Sequence, residues 1–204
     1  MNPYRLYLVT DDQQPIDTLE TVVAEAVRGG VTMVQVREKH GDVRAFIERA
    51  HAIKAVLQGS GVPLIINDRV DVALAVDADG VHLGQSDMPA AMARQLIGPD
   101  KLLGLSIETE RQLLEAESLP VDYLGLSAIF ATPTKTNLKK EWGIDGLISA
   151  VARSSLPLVA IGGINAANLR KIAATGVRGV ALVSAICRAP CPRTAAQDLL
   201  RLMG

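Results

Sequence analysis

Eight short aliphatic runs, each followed by a stretch of helical periodicity, constrain this chain more than any other feature. The runs are RLYLVT, TMVQVRE, PLIIND, GVHLG, LLGLS, DYLGLS, PLVAIGG and GVALVS. Most are apolar at consecutive positions rather than alternating, as expected of parallel strands covered by helices. Parallel neighbours need a crossover of a dozen or more residues, and the periodic stretches between the runs supply it. In IDTLETVVAEAVRGG, Leu19, Val22, Val23, Ala26 and Val27 share one face, Asp17 and Glu20 fit a capping box, and Gly29 fits the end. DVRAFIERAHAIKAVLQG repeats the pattern with Phe46, Ile47, Ala50, Ile53 and Leu57. The helix near DVALAV reads as the weakest.

Alternation alone also fits a doubly wound open sheet. The even spacing, the count of eight and the lack of a linker or low-complexity segment favour a single-domain (β/α)8 TIM barrel over residues 1–204. At about 25 residues per unit it is shorter than the roughly 250-residue norm and requires tight loops. With 3% aromatic residues, the core must be built from Ala, Val, Leu and Ile. A net charge of −1 lacks the basic excess of a nucleic-acid binder. The start, MNPYRLYLVTDD, has no signal-peptide pattern, and no run reaches the roughly 18 apolar residues of a membrane span. A cytoplasmic protein acting on small molecules, without nucleic-acid or membrane partners, is expected. Oligomeric state is left open, a homo-oligomer included. Cys187 and Cys191 lack nearby histidines or further cysteines and read as reduced thiols.

In a (β/α)8 barrel the chemistry sits at the C-terminal strand ends. On strand 2, Gln35, Arg37 and Lys39 fall on one side and Val34 and Val36 on the other. The valines suit the helix layer, so the polar three face the barrel mouth, where two cations need an anion. The alternative is surface ion pairs in which Glu38 takes part. Asn67 and Asp68 close strand 3, and Asp87 follows strand 4. Each aspartate could cap a helix. Together, beside Arg37 and Lys39, they suit Mg²⁺ held by one or two carboxylates plus substrate phosphates. His82 reads as a packed core histidine, and Ser106 as a hydroxyl donor or a cap. Gly162 and Gly163 after strand 7, with Val183 and Ser184 after strand 8, occupy the common phosphate position of such barrels. FATPTKTNLKKEW is a long polar connection, of the kind that forms lids or binding loops. Arg37, Lys39, Mg²⁺ and Lys135 can hold a diphosphate, and Gly163 and Ser184 a single phosphate. Two anion sites in one mouth suggest that two substrates are joined.

The motifs VQVREK, LIINDR, DGVHLGQSD, GLS followed by ET, TPTKT, VAIGGI and GVALVSAI together resemble the thiamine phosphate synthase family, in that family's order and through nearly the whole chain. The resemblance implies condensation of a hydroxymethylpyrimidine diphosphate with a thiazole phosphate (carboxylated or not) by a dissociative, Mg²⁺-assisted route. It implies that Gln35, Val36, Arg37, Glu38, Lys39, Asn67, Ser106 and Lys135 hold the pyrimidine diphosphate, with Arg37, Lys39, Ser106 and Lys135 serving catalysis. Asp68 and Asp87 would bind Mg²⁺. Thr132, Pro133, Thr134, Gly163, Val183 and Ser184 would take the thiazole phosphate. The strand 6 loop departs from the family's Gly-x-Gly-Pro pattern: it reads GLSAIF, with Ser127 and Ala128 in the last two places. A thiazole tautomerase of the same fold, or a non-catalytic barrel that binds thiamine precursors, would be expected to lack the full diphosphate and metal set, which this chain keeps.

Overall fold

A computed structural model describes residues 2–132 and 141–204. Eight parallel strands close into a barrel in sequence order: β1 (Leu6–Val9), β2 (Met33–Val36), β3 (Leu64–Asn67), β4 (Gly80–Leu83), β5 (Leu102–Ile107), β6 (Tyr123–Ser127), β7 (Leu158–Ile161) and β8 (Gly179–Leu182). Closure is direct, with Leu6, Tyr7 and Leu8 in register with Val180, Ala181 and Leu182. The open-sheet alternative is excluded. The intervening helices are α1 (Ile16–Arg28), α2 (Val43–Leu57), α3 (Val70–Ala75), α4 (Ala90–Ile97), α5 (Glu110–Ala116), α6 (Gly143–Arg153) and α7 (Leu169–Ala173), followed by α8 (Ser184–Cys187) and α9 (Pro192–Met203). The helix near DVALAV is short, but α7 is shorter still.

Strand alternation sorts the side chains into two apolar bodies. Outward residues such as Leu8, Val34, Val36, Ile66, Leu83, Leu105, Leu126 and Leu182 join the helix faces in one continuous core. Leu19, Val22, Val23 and Ala26 of α1 and Phe46, Ala50, Ile53 and Leu57 of α2 are buried in it. Each fully buried Leu, Ile or Val contributes about 1.5–3 kcal/mol. Inward residues Tyr4, Tyr7, Val9, Met33, Ile65, Tyr123, Val159 and Ala181 fill the barrel itself. Among the inward positions, polarity rises toward the strand C-termini: Met33 gives way to Gln35, Ile65 to Asn67, and Gly104 to Ser106. That gradient turns one end of a packed barrel into a polar mouth.

The expected capping box on α1 does not form. Pro15 is the N-cap and no side chain caps the helix, so Asp17 falls in the first turn, where it favours the helix dipole. A reciprocal box occurs on α5 instead, between Thr109 and Gln112. α9 closes the outer layer against α1, where Gly29 approaches so closely that a Cβ would lie 2.4 Å from the Arg193 carbonyl oxygen. Cys187 is buried, which pushes its thiol up to about 11, and Cys191 is exposed. No helix among the described residues is long and apolar enough to cross a membrane.

Candidate active site

A cavity of about 1170 Å³ opens at the C-terminal ends of the strands, larger than the usual 300–1,000 Å³ of a single-ligand pocket. Its wall carries Gln35, Arg37, Lys39, Asn67, Asp68, Asp87, Ser106, Thr132, Gly163, Val183 and Ser184. Pro133, Thr134 and Lys135, along with Lys139 and Lys140, lie outside the described residues. A second cavity of about 590 Å³, lined by His51, Lys54 and Asp79 among others, opens away from these strand ends. Its Lys54 ammonium is already held by the carbonyl oxygens of Val76 and Asp77.

Strand 2 ends at Val36, so Arg37 and Lys39 leave the sheet and are placed by the loop after β1. The Thr10 hydroxyl accepts the Arg37 N–H at 3.0 Å. Asp12 accepts the Lys39 N–H at 3.3 Å and lies 3.5 Å from the Arg37 guanidinium. The reading from sequence passed over Thr10 and Asp12, although TDD directly follows strand 1 and so stands at a strand end. Two residues of the same stretch face elsewhere. The Val36 side chain is fully buried in the helix layer, leaving only its backbone for a ligand. Glu38 pairs with Arg49 of α2 at 2.8 Å, and burial raises its carboxyl above the usual range. Its carboxylate is therefore engaged with α2 rather than with the mouth.

Neither aspartate caps a helix. Asp68 has a left-handed backbone (φ 62°), and the N-cap of α3 is Arg69. Asp87 precedes α4, whose N-cap is Pro89, and its carboxylate instead accepts the Gly84 N–H at 2.6 Å. The two carboxylates are neighbours in the mouth, and Lys39 pairs with Asp68. Burial first, and the neighbouring Asp68 second, raise the Asp87 carboxyl above its ordinary value. Asp68, Asp87 and Glu108 line the cavity together with the described cations Arg37 and Lys39. Beside the carboxylates, Asn67 is buried and its Nδ2 has no hydrogen-bond partner among the described residues. Buried donors normally find acceptors, so this one marks a place for a ligand oxygen or nitrogen. No group of three or more His, Cys, Asp or Glu among the described residues could hold a metal. A divalent cation would rest on Asp68 and Asp87 and draw its other oxygens from a ligand and water.

The floor of the cavity is a chain of hydrogen bonds. Gln35 Nε2 donates to the Tyr7 hydroxyl at 2.6 Å, and the Tyr7 and Tyr123 hydroxyls lie 3.0 Å apart. His82 links Tyr123 to Ser106, at 3.0 Å through Nδ1 and 2.9 Å through Nε2. His82 is thus buried, as expected, but in a polar chain rather than in apolar packing. Ser106 caps nothing, since the N-cap of α5 is Thr109.

On the far wall, Val183 is the N-cap of α8 and Ser184 its first residue, exposed at the mouth. Gly163 has φ 64°, and a Cβ on it would lie 2.7 Å from the Ala131 carbonyl oxygen and 2.8 Å from Phe130 Cβ. Its lack of a side chain is needed by the loop after β6, independently of any ligand. That loop leaves the sheet through a cis Ser127–Ala128 peptide, and its Ile129 and Phe130 N–H groups bond to the Ile161 and Gly162 carbonyls at 3.0 and 3.1 Å.

The model of the thiamine monophosphate synthase family matches residues 6–186. A thiamine-phosphate synthase of Vibrio parahaemolyticus is 74% identical over 203 residues, covering 100% of both chains. One from Albidiferax ferrireducens is 52% identical, covering 98% of this chain and 91% of its own. A solved thiamine phosphate pyrophosphorylase from Pyrococcus furiosus superposes with a TM-score of 0.89 at 37% identity, covering 99% of this chain and 96% of that one. A 3-hexulose-6-phosphate synthase, at 18% identity and a TM-score of 0.71, shares the fold. With most of its length matched by the family model and its whole length by close relatives, this chain belongs to the thiamine monophosphate synthase family.

Proposed function

We propose that this chain is a cytoplasmic thiamine-phosphate synthase that joins a hydroxymethylpyrimidine diphosphate to a thiazole phosphate and releases diphosphate. The observation that carries the reading is the mouth itself, where paired carboxylates Asp68 and Asp87 stand beside Arg37, Lys39 and the orphaned Asn67 amide. In the reaction the bond between the pyrimidine methylene carbon and the diphosphate oxygen breaks, and its electron pair leaves with the diphosphate. The thiazole nitrogen then gives its lone pair to the methylene cation. No protein nucleophile or base is needed. The protein's work is electrostatic and positional. Mg²⁺, held by Asp68 and Asp87, would supply charge neutralisation to the leaving group. Arg37, Lys39 and Lys135 would meet the remaining phosphate charge, and the Asn67 amide would donate to it. Ser106 and Gln35 would fix the pyrimidine end. Thr132, Pro133, Thr134, Gly163, Val183 and Ser184 would border the thiazole phosphate. A tautomerase would leave the paired carboxylates and their cations without a use.

The test is to mix both substrates with Mg²⁺ and follow thiamine phosphate. Product that requires both substrates and the metal is expected. Failure to form it, with either substrate bound and the protein folded, would overturn the reading.

A further inference from the structure

The buried chain beneath the cavity connects five different strands: Gln35 on β2, Tyr7 on β1, Tyr123 on β6, His82 on β4 and Ser106 on β5. A phenol has one proton to donate, and in a buried chain that proton must find an acceptor, so the direction of one link sets the next. Burial pushes both tyrosines above the ordinary phenol value, so each keeps its proton at neutral pH. If the Gln35 amide donates to Tyr7, then Tyr7 donates to Tyr123 and Tyr123 donates to His82 Nδ1. The imidazole proton is then on Nε2, donated to Ser106, and the Ser106 proton points away from the chain. Reversing the order requires the Gln35 amide to turn over and Ser106 to spend its proton on His82.

The ligand groups expected here, pyrimidine ring nitrogens and diphosphate oxygens, accept hydrogen bonds. They match the first order and not the second. The site is also shaped for this ring: a Cβ at Gly104 would lie 2.3 Å from His82 Nδ1 and 2.5 Å from the Tyr123 hydroxyl, and one at Gly125 would lie 3.1 Å from His82 Cε1. The two glycines, in the matching LGLS stretches of β5 and β6, leave space for the imidazole and phenol to meet.

We propose that Tyr7, Tyr123 and His82 are positioning residues that order the protons of this chain so that Ser106 presents a hydroxyl donor to the pyrimidine substrate. The proposal rests on the synthase reading for its ligand, but its bond order belongs to the free protein. Two measurements test it separately. In ¹⁵N-labelled ligand-free protein, the ring signal lost in His82→Gln identifies His82. A proton on Nε2 with a bare Nδ1 is expected, and a proton on Nδ1, or on both nitrogens, would overturn the order. Tyr123→Phe removes the donor to Nδ1 and leaves the two tautomers at similar cost, so the Nε2–H preference should be lost. Kinetically, Tyr123→Phe should lower kcat/KM for the pyrimidine substrate about tenfold, the worth of roughly one hydrogen bond. In a Ser106→Ala background the same change should cost far less, because its effect passes through Ser106. Losses that multiply would reduce Tyr123 to packing. A wild-type protein that makes no thiamine phosphate would remove the synthase reading, while the ring signals would still decide the proton order.

Discussion

Two neighbouring, partly buried carboxylates cannot both ionise cheaply unless a cation lies beside them. Asp68 has Lys39; among the described residues Asp87 accepts a Gly84 N–H, and burial with its acidic neighbour outweighs the weaker pull of Lys39, so its carboxyl is raised. Such a pair gains most from a divalent ion arriving with a phosphate ligand. Asp87→Asn keeps the shape and retains an oxygen for Gly84. We therefore expect an intact fold, at least about a hundredfold loss of turnover at limiting Mg²⁺, and partial recovery at high Mg²⁺. Direct binding of Mn²⁺ to the variant should weaken in parallel. Full activity at limiting metal would leave Asp87 a loop-fixing residue and no more.

At the scale of elements, the loop after β6 and the turn after β7 form one unit. Gly162 and Gly163 both have positive φ, and both would strike that loop if they carried a Cβ. Gly163→Ala should then lower stability by about 1–3 kcal/mol through backbone strain and overpacking, read as a shifted urea midpoint, along with any defect in thiazole phosphate binding. An unchanged midpoint with weakened phosphate binding would return the glycine to the ligand alone. This double duty was not legible in AIGGI, because its second partner is a loop more than thirty residues earlier in the chain. The strands themselves were legible, since outward positions such as Val34, Ile66 and Leu126 must be aliphatic to meet helices. Capping was legible in principle: TERQ at 109–112 has the box pattern, whereas Asp17 was misread because Pro15 starts the helix two residues before it. Thr10 and Asp12, the partners of Arg37 and Lys39, were legible as residues at the end of the neighbouring strand β1, whereas the Tyr7–Tyr123 contact across 116 positions is set by barrel closure and leaves no record in the local sequence.

At the scale of the whole molecule, closure in sequence order decides which residues can serve one ligand. Strands β2, β3 and β4 are consecutive neighbours and bring Arg37, Lys39, Asn67, Asp68 and Asp87 to one arc of the mouth. Strands β7 and β8 bring Gly163, Val183 and Ser184 to another arc, separated from the first by the cavity, by β1 on one side and by β5 and β6 on the other. Two anions held on separate arcs should respond independently to substitution. Arg37 is the cleaner probe, because removing Lys39 would also release Asp68 from its partner. Arg37→Gln removes the charge while leaving a donor for Asp12. A charge-assisted hydrogen bond is worth about 1.5–3 kcal/mol, so pyrimidine diphosphate binding should weaken by roughly ten- to a hundredfold. Binding of the thiazole phosphate alone should change by less than about twofold, since its arc loses no contact. Calorimetric titration of each ligand into the variant reads both constants directly. Equal losses for the two would mean that the anions share one arc, and the division of the mouth would have to be abandoned.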